Sequence, residues 1–313
     1  MFSRNPSFAV LAALALACGG GGGTPVDLDP EPFPGPGDYR RSVFAGDRDR
    51  FFEVHIPPGL DPADPVPLVL AFHGVPGTGE TMRQISGLDP IADREGFVVV
   101  YPNSAVGEWA LGCGGPCTRA DRHGIEDLRF VLNLVEKMLR DAPIDESRIF
   151  VTGFSQGALF AHRVACTIDE RFAAFASVAA TMLDVHARGC APSRPVPFLF
   201  FHGTEDREFP PGGRQGDFVT SIPLEETIDL WVERNRCSSD PAIEPQPDVE
   251  DDGTRVILER FGGCAGDAVV ELWRVEGGGH TWPGSPANFS GALGRESQDV
   301  EASEVIVEFF LGR

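Results

Sequence analysis

The chain has 313 residues, 42% of them hydrophobic and 23% charged, with 37 Gly and 27 Pro. That is ample apolar content for one large domain or two small ones, and it excludes a coiled coil, a disordered chain and a polytopic membrane protein. Acidic residues number 47 against 26 Lys plus Arg, a formal charge of −21, so the surface repels phosphate backbones and anionic lipid, and no nucleic-acid partner is expected.

The chain opens MFSRNPSFAVLAALALA (1–17), with Arg4 followed by an apolar run from Phe8 to Ala17 that ends in small residues. The run is too short to span a bilayer as a helix and fits the apolar core of a secretory signal. Cys18 follows at once. Ala15-Leu16-Ala17-Cys18 resembles a bacterial lipobox, although Ala15 stands where Leu is preferred, so the expectation is a lipoprotein signal with Cys18 acylated, the alternative being an ordinary signal-peptidase cut near Ala17 and a secreted extracellular or periplasmic form. Residues 18–38, rich in Gly, Pro and Asp, are read as a flexible tether, and 39–313 as one catalytic domain. Export places the other six Cys in an oxidising compartment. Locality pairs Cys113 with Cys117, Cys166 with Cys190 and Cys237 with Cys264; none shows zinc-ligand spacing, and no metal is expected.

From residue 39 onward, apolar β-runs alternate with amphipathic helical patterns. Strands are predicted at 50–56 (RFFEVHI), 67–74 (PLVLAFHG), 97–102, 148–154, 173–180, 196–203 and 269–275. The segment 125–142 carries Leu128, Val131, Leu132, Val135, Met138 and Leu139 at helical spacing; further helices are predicted at 158–166, after Pro223, and at 303–311. The alternation implies an α/β fold, a mostly parallel sheet covered by helices on both faces.

Gly153-Phe154-Ser155-Gln156-Gly157 sits between a β-run and a helical run, where a strained strand-to-helix turn can present a serine hydroxyl above the sheet. A serine needs a base, and the base an orienting acid, in the chain order Ser, Asp or Glu, His. Asp206 ends FLFFHGTED just past a strand, with Glu205 as fallback, and His280 lies in the glycine-rich run VEGGGHTWPG. His55 and His162 read as ordinary strand and helix residues, His123 and His186 as loop residues, and His73 and His202 as packing or hydrogen-bonding positions. The backbone N–H of Gln156, and that of Val75 in FHGVPGTG (alternatively Gly74), are candidate donors to a developing oxyanion. Trp109 and Trp282 are candidate substrate platforms.

PLVLAFHG, LDPIADREGFVVVYPN, GFSQGALFAHRVAC, HGTED and GGGHTWPG, in this order, resemble the secreted feruloyl/acetylxylan esterase and polyhydroxybutyrate depolymerase-like group of carbohydrate esterase family 1. The resemblance runs from about residue 40 to the end. It implies an α/β-hydrolase with Ser155 as nucleophile, Asp206 as acid and His280 as base, and no cofactor. Relatives often carry paired Asp where this chain has Glu126-Asp127, and Asn where it has Gln156. The expected activity is ester hydrolysis on feruloyl or acetyl esters of plant polysaccharides. The alternatives are a polyester depolymerase or oligomer hydrolase, and a non-catalytic lipid-tethered binding protein, which the complete, ordered triad disfavours. A monomer is expected, either secreted or held at a membrane only through an N-terminal lipid.

Overall fold

A computed structural model describes residues 31–115, 117–216, 219–287 and 291–312. In chain order the elements are β1 (Gly37–Ala45), β2 (Arg48–Ile56), β3 (Val66–Phe72), α1 (Gly79–Ser86), α2 (Leu88–Glu95), β4 (Val98–Pro102), α3 (Arg119–Arg122), α4 (Asp127–Asp141), β5 (Ile144–Phe154) and α5 (Gln156–Thr167). There follow β6 (Ala174–Val178), α6 (Asp184–Gly189), β7 (Phe198–Gly203), α7 (Leu224–Asn235), β8 (Ala242–Pro245), β9 (Arg255–Phe261), β10 (Val270–Glu276) and α8 (Ala302–Leu311). The strands form one sheet in the order β1-β2-β4-β3-β5-β6-β7-β10-β9-β8. The central strands, β4 through β10 in that order, run parallel, and antiparallel strands close each edge.

The parallel strands are apolar on both faces because helices cover both. Along β3, Leu68, Leu70 and Phe72 point into one core with Phe130 and Leu134 of α4, Phe160 of α5 and Trp231 of α7. Val69 and Ala71 point into the other, with Met82 of α1, Ile91 of α2 and Ile306 and Phe310 of α8. Strand period two thus divides the side chains between two cores. In α4 the buried face is Phe130, Val131, Leu134, Val135 and Met138, rotated from the expected stripe, so that Leu128, Leu132 and Leu139 are only half-buried. The rotation seats Asp127, at the start of the helix, in a buried ion pair with Arg50 at 2.6 Å.

The boundary drawn at residue 39 falls inside β1, which the sequence reading missed. Phe33 packs on Tyr39 with ring centroids 5.2 Å apart, and the Glu31 N–H donates to Asp141 at 3.0 Å. The last part of the expected tether is therefore docked on the domain. The signal segment, Cys18 and the rest of the tether lie outside the described residues. Among the described residues, no helix is long and apolar enough to cross a membrane. β9 and the edge strand β8 also escaped the reading; β8 is exposed throughout and carries no apolar alternation. His186, read as a loop residue, lies in α6 with its Nε2 2.5 Å from the Leu111 carbonyl. The three cysteine pairs are bonded as locality suggested.

Candidate active site

β5 runs straight into α5, and Ser155 is the residue at the junction. Its backbone stands at φ 56° and ψ −121°, a region that non-glycine residues avoid, and its N–H donates to the Val178 carbonyl of the neighbouring strand at 2.9 Å. The turn is this tight because the flanking glycines permit it. A Cβ on Gly157 would sit 2.7 Å from the His73 carbonyl oxygen, inside contact distance. The strain lifts the Ser155 side chain out of the helix and over the C-terminal ends of the parallel strands, where open α/β sheets place their sites.

Two other strand ends meet it there. Asp206 lies just beyond β7 and His280 in the loop after β10. His280 Nε2 is 2.9 Å from Ser155 Oγ, and its Nδ1 is 2.8 Å from Asp206 Oδ2. All three are buried, at 8%, 4% and 3% exposure for Ser155, His280 and Asp206. The carboxylate can only accept, so Nδ1 carries the proton and Nε2 offers its lone pair to the serine hydroxyl. Asp206 is held in turn: its Oδ1 accepts the N–H groups of Glu208 at 2.8 Å and Phe209 at 2.9 Å. The His280 loop is laid close against residues 293–295, with the His280 N–H on the Leu293 carbonyl at 2.6 Å. A Cβ on Gly279 would collide with Gly294, which explains a glycine run before the histidine. The rings of Phe154 and Phe209 flank His280 at 5.2 and 5.9 Å. Nothing in the sequence separated these two from other core phenylalanines.

The remaining polar residues sort by their partners. Glu205, the fallback acid, is exposed and bonds to Arg295 at 3.0 Å rather than to His280. His202 is buried; its Nε2–H donates to the Phe209 carbonyl at 2.9 Å, and burial pushes its pKa down. His73 donates from Nδ1 to the Gly74 carbonyl at 2.7 Å and accepts the Ser104 N–H at Nε2 at 3.1 Å; burial lowers it to about 4. Gly74 lies directly against the serine, since a Cβ there would be 3.0 Å from Ser155 Cβ. Among the described residues the Val75 N–H has no acceptor. Gln156 opens α5, and its N–H is one of the orphan donors of the helix start.

Neither tryptophan is a platform, and both assignments are corrected. Trp109 is 0% exposed, stacked on Phe160 at 4.9 Å and edge-on to Phe72 at 5.1 Å. Trp282 is 1% exposed, with its indole N–H on Ser303 Oγ at 3.0 Å, tying the His280 loop to α8. The large indole gains more from burial than from lining a wet cleft. The cleft beside His280, about 420 Å³, is walled by Glu205, Arg207, Glu208 and the segment 291–295. Two clusters of metal-ligating side chains occur among the described residues, Cys113–Cys117–Asp121 and Asp38–His55–Asp89. Both donor sets are engaged within the protein: the cysteines are bonded to each other, and Arg83 bridges Asp38 and Asp89.

A mostly parallel sheet with a strained serine at a strand-to-helix elbow, hydrogen-bonded to a histidine and through it to an aspartate, defines an α/β-hydrolase. The chain is a serine hydrolase acting on carboxylic ester bonds. Residues 51–191 match the family described as Esterase PHB depolymerase. Over 287 residues the chain is 29% identical to NocK of Nocardia uniformis subsp. tsuyamanensis, a protein named as an esterase, covering 87% of this chain and 82% of that one. It is 26% identical to the bifunctional acetylxylan esterase/xylanase XynS20E of Neocallimastix patriciarum, over 78% of this chain but only 32% of that longer protein. Among solved structures, the acetyl xylan esterase from Aspergillus awamori superimposes with a TM-score of 0.60 at 19% identity, over 88% of this chain and all of that one, a likeness of fold.

Proposed function

We propose that Ser155 is the nucleophile, His280 the general base and Asp206 the orienting acid of an acyl-enzyme mechanism on feruloyl or acetyl esters of plant polysaccharides. The observation that carries the mechanism is the unbroken hydrogen-bond chain Ser155 Oγ, His280 Nε2, His280 Nδ1, Asp206 Oδ2. The serine oxygen attacks the ester carbonyl while its proton passes to His280 Nε2; the resulting oxyanion is met by the N–H groups of Gln156 and Val75. Collapse expels the alcohol, which takes the proton from His280, and water repeats the sequence to free the acid.

The lining of the cleft supports this substrate class. Glu205, Arg207, Glu208 and Arg295 offer donors and acceptors beside His280, and among the described residues Ala292 and Leu293 are the aliphatic side chains of its lining. That lining suits a polyhydroxylated alcohol better than a polyester chain. We also read the protein as exported and anchored by acylated Cys18; the three disulfides support export, since they persist in oxidising compartments. The full chain, with Ser155→Ala as control, is assayed on methyl ferulate, acetylated xylan and hydroxybutyrate oligomers. The expected result is turnover of the first two, abolished in the variant; preference for the oligomers overturns the substrate class. Mass spectrometry of the mature N-terminus checks Cys18, where an unmodified residue rejects the anchor.

A further inference from the structure

The two proposed oxyanion donors come from different loops, Val75 after β3 and Gln156 at the start of α5, and something must set one against the other. One residue touches both. The Trp109 backbone N–H donates to Gln156 Oε1 at 2.7 Å, and its indole N–H donates to the His73 carbonyl at 2.8 Å. His73 carries the link forward: its Nδ1–H bonds the Gly74 carbonyl at 2.7 Å. That carbonyl belongs to the same peptide group as the Val75 N–H. A hydrogen bond to the oxygen of an amide fixes its plane and polarises its N–H into a better donor. Buried and neutral, the His73 ring keeps its other nitrogen as acceptor for the Ser104 N–H.

Trp109 is itself immobilised. Its ring is sandwiched between Phe160 and the edge of Phe72. The next residue, Ala110, donates its N–H to the buried Asp127 at 2.7 Å, and the Ala110 carbonyl accepts from Arg163. Asp127 is pinned by Arg50.

We propose that Trp109 is a positioning residue that sets the two oxyanion donors relative to each other, gripping Gln156 by its side chain and His73 by its carbonyl. This rests on the assignment of Gln156 and Val75 as donors made above. A device that aims donors at the tetrahedral oxygen acts on the transition state and not on the bound ester, so its loss appears in kcat and leaves KM alone.

Two conservative variants separate this role from packing. Trp109→Phe keeps an aromatic ring on Phe160 while removing the indole donor and some buried ring volume; Gln156→Met keeps the side-chain length and removes the acceptor without that loss of volume. In each folded variant kcat is expected to fall about 10-fold with KM within about twofold, and affinity for a boronic acid that mimics the tetrahedral adduct should fall in parallel. The double variant should lose less than the product of the single losses, because both changes cut one clasp. Folded variants with kcat within about twofold of the parent, or with changes confined to KM, overturn the proposal. Ser155→Ala, run alongside, distinguishes the failures. If it stays active the site assignment itself falls, whereas an inactive Ser155→Ala beside fully active Trp109→Phe and Gln156→Met refutes the positioning role alone.

Discussion

Replacing Asp206 by Asn changes one atom of the site, and the surrounding bonds dictate what that atom does. Oδ1 of Asp206 accepts two backbone N–H groups, from Glu208 at 2.8 Å and Phe209 at 2.9 Å. In Asp206→Asn the amide oxygen must stay on those donors, since an NH2 group there would meet two N–H groups head-on. The NH2 is therefore forced into the position of Oδ2, 2.8 Å from His280 Nδ1. The imidazole can accept from it only in the other tautomer, with the proton on Nε2, which then faces Ser155 Oγ as a donor and cannot serve as its base. Loss of the correct tautomer in an otherwise intact triad lowers kcat by about 10⁴, or ~5.5 kcal/mol of barrier at ~1.4 kcal/mol per decade. KM should hardly move, because the cleft lining is untouched. Steady-state kinetics on p-nitrophenyl acetate measure it, with Glu205→Gln as a control expected near the parent rate, since Glu205 bonds outward to Arg295. A folded Asp206→Asn enzyme within about tenfold of the parent would refute the reasoning, as would a collapse confined to Glu205→Gln.

Removing the bridge between Cys166 and Cys190, 24 residues apart, by the double Ser variant should lower stability by about 3 kcal/mol, read as a drop in urea midpoint with kcat retained at low temperature. Asp127→Ala should be harsher, about 3–5 kcal/mol, because it leaves the buried guanidinium of Arg50 uncompensated; differential scanning calorimetry should show the lowered Tm, and an unchanged Tm would contradict it. Burial lowers the pKa of His162 to about 3 and those of His73 and His186 to about 4, so the unfolded chain takes up protons that the folded one refuses. Stability should thus fall as pH drops from about 6.5 toward 4, by up to ~1.4 kcal/mol per pH unit for each such group. His55, raised by Asp38 and Asp93 against the opposing effect of burial, contributes in the opposite sense, losing its stabilisation as pH rises through its folded pKa. His162→Phe, which preserves the stack on Phe198, should flatten the acid slope of the urea midpoint; an unchanged slope would rule out His162 as a contributor.

The parts of this molecule that could be read from the sequence are those whose chemistry resides in side chains of fixed order. Ser155, Asp206 and His280 each sit at the end of an apolar β-run, and the structure brings them within hydrogen-bond distance. The central strands were visible because a strand buried on both faces is apolar throughout. β1 and β8 were not: at the sheet edges, pairing is made by backbone groups that any residue supplies. Composition misled at residues 31–38, since Phe33 on Tyr39, the backbone pairing of β1 and the ion pairs of Asp38 with Arg83 and of Glu31 with Lys137 dock a Pro- and Gly-rich stretch.

The tryptophans mark the deeper limit. An indole near a catalytic motif reads equally as a substrate platform or as core, because its ring area is the same in both settings and only its neighbours differ. Trp109 is buried beneath the site, yet its two N–H groups point at Gln156 and His73. In the sequence it stands 36 residues from His73 and 47 from Gln156, so no local pattern could join them. The proposed oxyanion region rests on main-chain donors and carbonyls, which leave no trace in residue identity. What does leave a trace is the departure at Gln156: the longer amide reaches the Trp109 N–H, and by the same argument an Asn there, one methylene shorter, would have to find another partner or bring the Trp109 loop closer to the elbow.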